Sequence, residues 1–182
     1  GEVTELNNRM DVLIDVLDDR QKVLLLGAAP HPDLGALRLA LGGLEGYGTD
    51  LAYAAEFTAD VADYDLVLLH GIPSTAQPMQ AMLQKADAAG VPVSYILGQG
   101  MDFNAFNARG TGVQVSAARG SNTDAQASTN DAFTLFTVEP DLARALEQFP
   151  PLQVPFGQYE LGRAATALAY QRIGIVSTAY PL

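Results

Sequence analysis

The chain has 182 residues, 48% of them hydrophobic, enough to bury one sizeable core and short for two ordinary domains. Lys and Arg total 10 against 21 Asp and Glu, a net charge of -11, so polyanions are repelled and nucleic acid is not an expected partner. No cysteine is present, which removes disulfides, thiolate metal sites and cysteine nucleophiles.

A strand is predicted at residues 10–17, where Met10, Val12, Ile14 and Val16 alternate with Asp11, Leu13, Asp15 and Leu17. A helix through Met10, Leu13, Ile14 and Leu17 fits the same residues. The strand reading makes residues 1–21 an N-terminal strand segment ahead of one α/β unit at 22–182. The unbroken apolar run "KVLLLGA" at 22–28 is the pattern of a strand covered on both faces. From His31 to Leu44, Leu34, Leu37, Leu41 and Leu44 recur at helical spacing, and Gly42 and Gly43 stop the helix. Strands follow at 50–57 and, more strongly, at 64–71 ("YDLVLLHG"). A helix spans 75–89 through Met79, Met82, Leu83 and Ala86, and a further strand lies at 91–98 ("VPVSYILG").

Beyond residue 108 the pattern loosens. "GVQVSAA" at 112–118 reads as a short strand, the polar residues up to 131 as a loop, and "FTLFTV" at 133–138 as a strand. Pro140 suits the first turn of a short helix at 139–149, and the prolines of "FPPLQVPFG" keep the chain extended after it. The tail reads as two strands around Arg172–Gly174, a hairpin. Alternating strands and helices at these lengths argue for a parallel sheet with helices on both faces. No apolar run approaches the ~20 residues of a membrane span, and the N-terminus lacks the layout of a signal peptide.

Pro30-His31-Pro32-Asp33, directly after the 22–28 strand, invites a metal or catalytic reading. It is similar to the Ala-His-Pro-Asp-Asp signature of LmbE-like zinc deacetylases, but Leu34 stands where the second, metal-binding Asp would be. His70, the only other histidine, could meet His31 at the carboxyl edge of the sheet. The simpler reading is a turn in which Asp33 or its predecessors cap the helix, Pro30 and Pro32 stiffen the approach, and His31 sits at the rim. "GQGMDFNAFN" at 98–107 adds Gln99, Asp102, Asn104 and Asn107 near the edge where ligands of such folds bind.

"YDLVLLHGIPS", a helix, then "GVPVSYILGQG" resembles class I glutamine amidotransferase-like domains. The resemblance places the oxyanion loop at His70, Gly71 and Ile72, and the nucleophile elbow at Gly98, Gln99 and Gly100. Gln99 stands where that family has its cysteine, and no histidine follows residue 70, so a triad is not available. "VLLLGAAPHPDLGAL", "FPPLQVPFGQY" and "YQRIGIVSTAYPL" resemble a set of large bacterial membrane-anchored proteins, von Willebrand factor A-like, that carry this domain outside the membrane.

The expected fold is therefore α/β, a three-layer flavodoxin-like parallel sheet with core strands 22–28, 64–70 and 91–97 and an additional β segment from the chain ends. The missing cysteine argues for a non-catalytic interaction or structural domain, and the resemblance implies that it is cut from a larger membrane-anchored protein and extracytoplasmic (periplasmic). Its partners would be other domains of the same polypeptide or another protein, with no catalytic residue, metal or cofactor. The alternative is an enzyme or ligand-binding domain, a hydrolase or amidotransferase relative, using His31, Asp33 and His70 at the sheet's carboxyl edge with a divalent metal. Gly71, Gln99 and Asn104 complete the ligand-binding candidates.

Overall fold

The computed structural model describes residues 20–98 and 100–182. The strand predicted at 10–17 lies outside them. The chain is mixed α/β, and its described residues form two four-stranded sheets. The first is parallel, in the order β2-β1-β3-β4, formed by β1 (Gln21–Gly27), β2 (Tyr47–Tyr53), β3 (Leu66–His70) and β4 (Val93–Ile96). In β1 the residues Val23 to Leu26 are all buried, because both faces of the strand are covered. Val23 and Leu25 pack with Leu34 of α1 (Pro32–Gly42). Leu24 and Leu26 face the opposite way, onto Val67, Leu69 and then Leu83 and Ala86 of α2 (Gln80–Ala89). Period-two alternation thus divides one apolar run between two separate cores.

The second helix begins five residues later than its periodicity suggests. Ser74 and Gln77 close a turn on each other, backbone to backbone at 3.0 Å and Gln77 N–H to Ser74 Oγ at 3.0 Å. Pro78 disfavours helix in the residue before it, and Met79 then takes a left-handed φ of 49° ahead of the first helical turn. The strand expected at 50–57 sits earlier, at β2, where it pairs along the full length of β1.

The second sheet is antiparallel, in the order β6-β5-β7-β8, a separate sheet rather than an addition to the first. It comprises β5 (Val113–Thr129), β6 (Leu152–Leu161), β7 (Ala169–Ile173) and β8 (Val176–Pro181), with α4 (Pro140–Gln148) between β5 and β6. Its edge strands β6 and β8 approach each other, and the Tyr159 and Tyr180 rings meet at 5.6 Å, so the sheet curls. The chain's C-terminal end supplies β7 and β8, as expected of an added β segment, but interior sequence supplies β5 and β6.

Two expectations are corrected here. The polar stretch predicted as a loop up to residue 131 is strand: Ala125 and Ala127 point inward at period two while Asp124 is exposed. Alanine is a weak strand former, so that alternation carries little signal. β5 pairs with β6 as far as Ala125, across a register shift between Ala117 and Asn122, and with β7 from Gln126 to Thr129. Conversely, 133–138 is not a strand. Phe133 N–H donates to the Asn130 carbonyl, and the Phe133 and Phe136 rings meet edge-on at 4.8 Å, a contact three residues apart that an extended chain does not make.

A short helix that periodicity missed, α3 (Phe103–Asn107), ties the two sheets together. Asp102 caps it by accepting from Ala105 N–H at 3.1 Å. Asn107 donates to the Val115 carbonyl and accepts from its N–H, both at 2.9 Å, so one carboxamide satisfies both backbone groups of a buried β5 residue. Asn107→Ala is expected to lower stability by about 1–3 kcal/mol, because it leaves Val115 unpaired where water is excluded. Asn107→Asp is expected to fail as a rescue, since it keeps the acceptor and loses the donor; urea midpoints of the three proteins check both.

Candidate functional site

In the order β2-β1-β3-β4 the connection leaving β1 runs to one side and the connection leaving β3 to the other, so a crevice opens between them at the strands' carboxyl ends. His31 follows β1 on the outgoing loop, and His70 is the last residue of β3, paired in register with Gly27. The two histidines flank that crevice.

Several local features fix them there. A Cβ at Gly27 would lie 2.5 Å from Leu34 Cδ1 and 3.0 Å from the Ala29 carbonyl oxygen, so a side chain here would force Leu34 and the turn into α1 to give way. His31 caps α1: its Nδ1 accepts from Asp33 N–H at 3.3 Å, with Pro32 in the first turn. The cap is thus His31 and not Asp33, which leaves the Asp33 carboxylate free to turn toward His70. On the β3 side the His70 carbonyl accepts from Ala28 N–H at 2.9 Å, and Gly71 turns the chain at a φ of +69°.

The two imidazole rings lie 4.5 Å apart, centre to centre, tilted by 31°. Asp33 Oδ2 stands between them, 3.4 Å from His31 Nδ1 and 3.5 Å from His70 Nε2. His31 and Asp33 are about half exposed, whereas His70 is nearly buried. Burial, reinforced by the neighbouring His31, holds the His70 imidazole below its usual pKa; the Asp33 carboxylate opposes this without reversing it. A lone pair on His70 is therefore available at neutral pH.

These residues stand at one end of a cleft of about 1120 Å³ between the parallel sheet's carboxyl edge and the antiparallel sheet. Its far wall includes Leu152, Val154, Tyr159 and Gln171. The Gln171 side chain is buried; its amide donates to the Pro181 carbonyl at 2.8 Å, and its Oε1 has no hydrogen-bond partner. Tyr159 donates to the Pro155 carbonyl at 2.6 Å, and burial pushes its phenol up to about 12, so it stays protonated.

No protein-family model, no curated protein and no solved structure matches the chain. Function must be argued from the site.

Of the residues singled out by sequence, His31, Asp33 and His70 come together, and Gly71 lines the same cleft. Gln99 is outside the described residues. Asn104 is exposed on α3 and is not part of the cleft lining, and Asp102 and Asn107 serve as a helix cap and a backbone clamp. Sequence reasoning missed Tyr159 and Gln171. Both sit on period-two strands as inward residues, but nothing local distinguishes a core tyrosine or glutamine from one that lines a cleft.

Proposed function

We propose that the chain is a non-catalytic, amidotransferase-like binding domain that acts by holding a ligand or a neighbouring polypeptide segment in the cleft between its two sheets. One observation carries the proposal: where glutamine hydrolysis requires a covalent acyl acceptor and its base, the chain has no cysteine at all, and the histidine ending β3 is turned to Asp33 and His31. The strand order β2-β1-β3-β4 and the placing of α1 and α2 on opposite faces support a flavodoxin-like, three-layer description of the parallel half. Following the resemblance, the domain belongs to a larger membrane-anchored protein and works outside the membrane, docked on other domains of that polypeptide or on a protein partner. No helix among the described residues is long and apolar enough to cross a membrane.

The purified protein is expected to release no ammonia from glutamine above background. Measurable turnover that disappears in His70→Ala or Gln99→Ala would overturn the proposal. The convergence of His31, Asp33 and His70 favours a second reading, a ligand-binding or hydrolytic domain that works through a divalent metal at the same edge. The cleft serves both readings; they differ in what sits at its histidine end.

A further inference from the structure

We propose that His31, Asp33 and His70 bind one divalent cation of the zinc class at the histidine end of the cleft, with a coordination position left open to the cleft. This inference rests on the cleft being the binding place, and it names the ion that the site takes.

The distances argue for it. Bonds of roughly 2.1 Å at a tetrahedral angle place ligand atoms about 3.4 Å from one another. Asp33 Oδ2 is 3.4 Å from His31 Nδ1 and 3.5 Å from His70 Nε2, and ligand atoms of all three residues fall within 4.8 Å of one another. Those same separations are long for direct hydrogen bonds, which prefer about 2.7–3.2 Å. The carboxylate therefore sits at ligand spacing from two imidazoles without being well bonded to either. Closing the remaining gap between the histidines falls to exposed His31, whose Nδ1 must give up the Asp33 N–H cap to take the ion, since His70 is held in the β3 wall.

The donor set selects the ion. Two imidazole nitrogens and one carboxylate oxygen, with no thiolate anywhere in the chain, suit zinc, cobalt or nickel and are too nitrogen-rich for magnesium or calcium. Three protein ligands are one short of a closed tetrahedral site, and sites of that kind keep an exchangeable fourth position. Space for it exists beside His70, where Gly98 carries no side chain: a Cβ built there would already stand 3.9 Å from His70 Cε1. The ion would lie near the first turn of α1, whose field disfavours a cation, and Asp33 in that turn offsets this. An anionic oxygen ligand in the open position would be favoured by both the ion and the helix.

The test is thermal unfolding of the metal-stripped protein with zinc, cobalt or magnesium chloride added, alongside titration calorimetry with zinc. One equivalent of zinc is expected to bind, and at 100-fold excess over Kd to raise Tm by roughly 5–10 °C. Cobalt is expected to do likewise and to show the visible absorption of a low-coordinate site; magnesium is expected to do nothing. Asp33→Asn and His31→Gln should fold, with His31→Gln melting somewhat lower for loss of its cap, and both should lose most of the zinc-induced shift. Because His70→Ala could unfold, those two exposed positions carry the comparison. An absent zinc shift, an equal shift with magnesium, or a shift that survives in both variants overturns the inference. Any of these results leaves the cleft standing as a binding place, whereas ammonia release overturns the non-catalytic reading and leaves the cation inference as it is.

Discussion

Gly157→Ala is expected to unfold the antiparallel sheet or to cost several kcal/mol. A Cβ at Gly157 would stand 2.2 Å from the Ser116 carbonyl oxygen and 2.5 Å from Ala117 Cα, both backbone atoms of the partner strand. Neither can swing away as a side-chain tip would, because β5 and β6 pair on both sides of the point, Ser116 with Gln158 and Asn122 with Pro155. Overpacking of an ordinary core costs about 1–3 kcal/mol, and a clash with paired backbone should exceed that. Since Leu152, Val154 and Tyr159 on β6 wall the cleft, binding should fall with stability. Gly35→Ala provides the opposite sign: an added Cβ meets nothing within 4 Å in α1, and the change should stabilise by about 0.5–1 kcal/mol. Guanidinium midpoints for the two variants decide the matter, and equal midpoints would show that the strand contact is not as close as described.

Leu26→Ala is the second large effect, expected to lower stability by about 2–5 kcal/mol through lost burial and the cavity left behind. Leu26 is fully buried, paired in register with Leu69, and faces the α2 side of the sheet. For a chain of this size the loss corresponds to a fall in Tm of roughly 4–20 °C. Leu39→Ala, the same substitution at an α1 position 81% exposed, should change stability by less than about 0.5 kcal/mol. A comparable loss at both positions would mean that burial is not what sets the cost. Leu26 also adjoins Gly27, the register partner of His70, so Leu26→Ala is expected to loosen the setting of His70 at the proposed cation site as well as the core.

Much of the parallel half was legible from the chain alone. The apolar runs of β1 and β3, the leucine spacing of α1, the proline in the first turn of α4 and the tail hairpin are signals carried within one element, because burial on one or both faces dictates which positions must be apolar. The same logic misread residues 119–138. There alanines provide the inward face of β5 among Ser, Thr, Asn and Asp, whereas the better alternation of 133–138 belongs to a turn in which two phenylalanines meet.

His31, Asp33 and His70 could each be picked out by residue type and by position after a strand. Their meeting could not. It depends on β3 adding beside β1 while β2 adds on the other side, so that the two loops part and leave a crevice with an imidazole on either wall. It also depends on His31 taking the helix cap, which frees Asp33 to stand between the rings. Side-chain patterning determined which segments fold against a core and that no thiol chemistry is possible. Strand order, a property of pairings between residues far apart in the chain, decided which polar groups share one edge and that a second sheet closes over them.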